Sequence, residues 1–108
     1  MNQKEFLEYH KKSCEYLIDL TQKKNKDYSG NNDNPFFNYE STEKLNVTST
    51  EKGFLVRMLD KYNRINSFVE QGVLEVKDEK IEDTLLDLAN YSIMMSAYIK
   101  HKKDKNYE

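Results

Sequence analysis

Apolar residues recur at helical spacing in three long stretches of the chain, and each stretch predicts a helix. Over residues 3–25, Phe6, Tyr9, Ser13, Leu17 and Leu20 fall on one face, and no Gly or Pro interrupts them. The second stretch is "TSTEKGFLVRMLDKYNRINSFVEQG", with Phe54, Met58, Tyr62, Ile65 and Val69 as its apolar face. Thr48 and Glu51 are spaced as a capping box at its start, and Gly72 suits its C-terminal stop. "VLEV" then reads as a short extended connector. The third helix runs from about Asp78 to Lys102 and ends on "KHKK", cations that complement the negative end of a helix dipole.

The helical pattern fails over "NKDYSGNNDNPFFNYESTEKLNV", which carries Gly30, Pro35 and a run of Asn. A connection of this length inside a small domain tends to be functional. Tyr28, Phe36, Phe37 and Tyr39 are too many aromatics for a solvated linker. The segment is therefore expected to be an ordered loop, with a short helical turn near 41–46 and a turn at "KDYSG" through Gly30. The architecture expected is all-α: a small bundle of three long helices with a long aromatic and Asn-rich loop, forming a single domain over 1–108.

Composition adds that such a bundle needs help. With 37% hydrophobic residues in 108 and a mean hydropathy of −0.95, the core of one copy is thin. A homo-oligomer is expected, a second copy covering some of Phe68, Val69, Met95 and Tyr98. A net charge of −2 gives no reason to expect a nucleic acid polymer or an anionic membrane as partner. Cys14 is the one cysteine, so no intramolecular disulfide forms. "MNQKEFLEYH" lacks the apolar run of a signal peptide, and no stretch is long enough to span a bilayer. A cytoplasmic setting follows. His10 and His101 read as surface residues, Met94 and Met95 as core.

The candidate chemistry lies on two charged stripes. Glu79, Asp83 and Asp87, with Asn90, fall within roughly 80° of one helical face. Like charges one turn apart repel by a few tenths of a kcal/mol per pair, so positive charge is needed nearby. The middle helix supplies it, with Arg57, Asp60, Lys61 and Arg64 within roughly a 100° arc beside the apolar face. One reading is an interhelical salt-bridge ladder and nothing more. The other is a phosphate site, in which Arg57, Lys61 and Arg64 hold phosphate oxygens. Asn90 would then read a base or ribose edge, and loop aromatics would stack on a base. Asp60, Glu79, Asp83 and Asp87 are the carboxylates available should Mg²⁺ take part.

The same residues carry a family resemblance. "VRMLDKYNRI" followed by "VKDEKIEDTLLDLANY", and preceded by "NKDYSG" and "PFFN", resembles the nucleotide modification associated domain 1 family, a domain of unknown function found largely in bacteriophages. The group lies near the all-α nucleoside triphosphate pyrophosphatases related to MazG. The resemblance spans roughly residues 15–100 and implies a helical, oligomeric, nucleotide-handling domain. It also draws Lys26, Tyr28, Phe36, Phe37 and Tyr91 into the candidate ligand set. In the MazG-like enzymes two helices supply an ExxE and an ExxD that bind Mg²⁺. Here the last helix matches through Glu79, Asp83 and Asp87, whereas the middle helix offers Arg57, Asp60, Lys61 and Arg64 where an ExxE would lie. "EFLE" fits ExxE only outside the resembling region. The resemblance therefore favours binding of a phosphorylated nucleotide or nucleotide-derived signal without turnover, as in a phage counter-defence role. The alternatives are a Mg²⁺-dependent nucleotide pyrophosphatase and a structural helical interaction protein.

Overall fold

The computed structural model of the protein describes residues 1–29, 33–72 and 80–106, with side chains for 1–24, 33–72 and 80–105. It is all-helical, with no strand among these residues, and has four helices rather than the three expected. They are α1 (Gln3–Ser29), α2 (Phe37–Lys44), α3 (Thr50–Gln71) and α4 (Ile81–Asn106). None is long and apolar enough to cross a membrane. The chain divides into two compact units, Met1–Asn38 and Tyr39–Glu108.

In the first unit the Asn2 side chain caps α1, its Oδ1 accepting from the Glu5 N–H at 2.8 Å. Of the expected apolar face, Leu17 is buried, Ser13 and Leu20 are half-buried, and Phe6 and Tyr9 are exposed. The helix runs through "KDYS" instead of turning there. Lys, Asp, Tyr and Ser each cost a helix only a fraction of a kcal/mol, and Gly30 is the first strong breaker. The expected turn is thus corrected over residues 26–29, which are helical, while Gly30 lies outside the described residues. The side chains of Lys26 and Tyr28 lie outside the described residues, as do "VLEV" and Glu79.

The aromatic segment also contains more helix than its sequence suggested. Asn34 starts it: its Oδ1 accepts from the Phe36 N–H at 3.0 Å and its carbonyl from the Phe37 N–H at 3.2 Å. Pro35 follows, with φ already set for a first helical turn. The helix expected near 41–46 thus begins at Phe37. It ends in a left-handed cap. Asn46 has φ 60, and the Val47 N–H reaches back to the Thr42 carbonyl at 2.9 Å while the Asn46 N–H meets the Glu43 carbonyl at 3.0 Å. Asn is the non-glycine residue best suited to that conformation.

In the second unit α3 packs along α4, around an aromatic cluster. Phe54 is fully buried. The Tyr39 ring stacks on it at 4.5 Å and 14°, and Tyr98 lies 6.0 Å from it on the other helix. The Tyr39 hydroxyl points to the Met94 sulfur at 3.8 Å. Gly53 allows α2 this close approach, because a Cβ there would lie 3.2 Å from Thr42 Oγ1. That hydroxyl already donates to the Tyr39 carbonyl at 2.8 Å, so turning it away would break a bond.

Two expectations for α3 need correction. Its N-cap is Ser49, not Thr48, with Ser49 Oγ accepting from the Lys52 N–H at 3.2 Å. The Thr48 N–H is taken by the Thr42 carbonyl at 3.3 Å. Glu51 pairs with Lys102 of α4 at 3.2 Å instead of closing a capping box. The hydrogen bond and the negative charge of Glu51 raise the Lys102 pKa above its ordinary value. The stabilisation from this pair is complete below the ordinary lysine range and fades as pH rises through the raised value. The covered face of α3 is also rotated. Phe54, Met58 and Ile65 are covered or half-covered, but Tyr62 is 59% and Val69 is 73% exposed. Arg57, Lys61 and Arg64 are half-buried in their place. Gly72 ends the helix as expected, with φ 77 and its N–H on the Phe68 carbonyl at 2.7 Å.

Thr50, in the first turn of α3, is fully buried, and its Oγ1 has no hydrogen-bond partner among the described residues. An unmet buried hydroxyl costs about 1–3 kcal/mol of desolvation. Thr50→Val keeps the shape and removes that cost, so the urea midpoint should rise, by up to about 1 kcal/mol of stability. A midpoint that falls would show that the hydroxyl is held by water or another group.

Candidate functional site

The long edge of the α3–α4 pair that α2 also borders carries most of the candidate residues. The i, i+4, i+7 spacing of Arg57, Lys61 and Arg64 sets their side chains along one line of α3. Asp87 faces that line from α4. Lys61 Nζ lies 3.5 Å from Asp87 Oδ2, with side chains only 18% and 28% exposed. Arg64 Nε lies 3.5 Å from Asp60 Oδ2, one turn back on its own helix. The ladder anticipated between the helices is thus partly formed among the described residues: Lys61–Asp87 is a cross-helix rung, Asp60–Arg64 pairs within α3, and Asp83 stands exposed.

Arg57 differs from its neighbours. Its guanidinium carbon sits 4.6 Å from the centre of the Tyr39 ring, and among the described residues it enters no ion pair. A cation over an aromatic face is held by the ring quadrupole at about 0.5–1 kcal/mol. A guanidinium held over a ring face by its charge still has N–H donors to offer another acceptor. Tyr39 in turn is fixed between Phe54 and Met94. The core therefore orients the cation.

Tyr39 was legible only as one more loop aromatic. The nearest signal was its place within a polar helix, α2, where it is the buried residue. Of the other candidates, Asn90 is 8% exposed and engaged within the fold, and Tyr91 is half-buried. Phe36, which is buried, belongs to the other unit, as does the exposed Phe37.

The carboxylates do not assemble into a metal centre among the described residues. No group of three or more His, Cys, Asp or Glu is placed there to hold an ion. Asp60 and Asp87 each face a cation. Glu79, the fourth carboxylate of the candidate Mg²⁺ set, lies outside the described residues, and Asp83 is exposed.

A family model described as nucleotide modification associated domain 1 matches residues 24–100. The match takes in α2, α3 and most of α4, with every candidate residue named above. No curated protein matches the chain. No solved structure matches it.

Proposed function

The chain belongs to the nucleotide modification associated domain 1 family, and we propose that its α3 cations bind the phosphate of a nucleotide or nucleotide-derived signal without turning it over. The observation that carries this reading is Arg57. It is a half-buried guanidinium, set by Tyr39 and opposed by no carboxylate among the described residues, in line with Lys61 and Arg64. Two of the three cations already have carboxylates, so the edge is not a bare basic patch. An arriving phosphate would meet Arg57 first and compete with Asp87 for Lys61. Charge-assisted bonds of this type are roughly twice as strong as neutral ones. Binding without turnover suits a protein that sequesters a nucleotide, as a phage would to blunt a host signal. The MazG-like pyrophosphatases remain the comparison for the hydrolytic alternative.

Incubation with a panel of nucleotides and Mg²⁺, followed by chromatography of the small molecules, tests this directly. Nucleotide should be retained by the protein and returned intact on denaturation. Release of monophosphate and pyrophosphate would overturn the proposal in favour of hydrolysis. A substitution separates the two as well. If Asp87 only competes for Lys61, Asp87→Asn should tighten nucleotide binding by about fivefold, the scale of one modest ion pair. If Asp87 serves a metal-dependent reaction, the same change should abolish turnover.

A further inference from the structure

We propose that the phosphate held at the cation edge is a phosphodiester with one negative charge, an inference that rests on the nucleotide binding proposed above. Terminal monoesters and polyphosphate chains fit the edge less well. Arg57, Lys61 and Arg64 bring three positive charges to it, and Asp87 and Asp60 lie 3.5 Å from the second and third. Among the described residues one positive charge is left in excess. It belongs to Arg57, over the Tyr39 ring. Asp83, one turn before Asp87 on α4 and exposed, lowers the positive field further.

A phosphate monoester carries about −1.5 to −2 at pH 7, with three acceptor oxygens. Balancing it takes more than Arg57, and the next cations are already shared. Drawing Lys61 away would leave the Asp87 side chain, only 28% exposed, unpaired beside a dianion. Stranding one member of a covered pair costs more than the pair itself contributes. Drawing Arg64 away would free the Asp60 carboxylate, three residues from Arg57 and so its neighbour on the helix surface. A triphosphate sets still more charge against the same two carboxylates.

A diester avoids both costs. It keeps a single charge and two unesterified oxygens, which the guanidinium fork of Arg57 can meet together. It need win neither Lys61 nor Arg64 outright from its carboxylate. The polymeric form of the same chemistry does not fit, because a nucleic-acid strand draws its affinity from many neutralised phosphates. The class that fits is a small phosphodiester, such as a cyclic mononucleotide or a cyclic dinucleotide.

Calorimetric titration of the full chain in EDTA, at about 0.1 M salt where charges are felt over about 10 Å, tests this. Cyclic mononucleotides and cyclic dinucleotides are compared with the nucleoside monophosphate and triphosphate of the same base, and with a short single-stranded oligonucleotide. The tightest diester should bind at least about fivefold better than the triphosphate of its base, the scale of one facing charge. Asp60→Asn, at a position 57% exposed, should narrow that gap by favouring the triphosphate more than the diester. Asp87→Asn should do the same if it remains folded by circular dichroism. A triphosphate, monophosphate or oligonucleotide that binds tighter than every diester overturns this inference and leaves nucleotide binding standing. So does a gap that Asp60→Asn leaves unchanged. Binding of none of these ligands overturns the binding proposal, and this one with it.

Discussion

Phe54→Ala should bring the Tyr39–Glu108 unit close to unfolding. Phe54 is fully buried and joins two aromatic contacts, to Tyr39 at 4.5 Å and to Tyr98 at 6.0 Å. Truncation of a buried Phe costs about 3–5 kcal/mol through lost transfer energy and the cavity left behind. The total stability of a domain is commonly about 5–15 kcal/mol, so a small helical unit has little to spare. The loss should appear as a collapse of the thermal midpoint followed by circular dichroism. It should also release Arg57, because Tyr39 would lose the ring against which it stacks. A drop of under about 1.5 kcal/mol, the range of a mild core change, would show that this cluster does not hold the unit together.

Arg57→Ala should have the opposite profile, with a large effect on ligand and a small one on stability. Loss of a charge-assisted phosphate contact is worth about 1.5–3 kcal/mol, or roughly 10- to 150-fold in affinity. The contact with Tyr39 contributes only about 0.5–1 kcal/mol to the fold, so the thermal midpoint should move little. Arg57→Lys should recover only part of the affinity, since a lysine supplies a point charge without the planar fork. Arg64→Ala should weaken binding on the same scale, and both affinities are read by titration calorimetry. If Arg57→Ala leaves binding unchanged and lowers the midpoint, the residue is a packing group and the site lies elsewhere.

The long helices were legible because their periodicity and punctuation agree. Gly72 stopped α3 where it was expected to, and the predicted first helix needed only a few more residues. The charged stripes were legible too, because i, i+4 spacing places Arg57, Lys61 and Arg64 on one line whatever surrounds them. What periodicity does not show is which part of a wide apolar face is covered within the chain. α3 is apolar from Phe54 round to Leu59, and the sequence placed Tyr62 and Val69 on that face with Phe54 and Met58. In the fold both are exposed, because α3 turns Lys61 towards Asp87 and leaves those residues outside. Tyr98, expected at an interface between copies, is only 3% exposed and belongs to the core. α2 was read mostly as loop because its short sequence, FNYESTEK, is too polar to show an apolar stripe. Its start lay in Asn34–Pro35, a signal that the surrounding run of Asn obscured. The role of Tyr39 follows from that helix and was hidden with it.

The most direct test of nucleotide binding at the cation edge is calorimetric titration of the full chain in EDTA with nucleoside mono-, di- and triphosphates and cyclic dinucleotides. Saturable binding of at least one of them, undiminished by EDTA and lost or strongly weakened in Arg57→Ala, is the predicted result. No saturable heat with any of them, or binding that appears only when Mg²⁺ is restored, would contradict it.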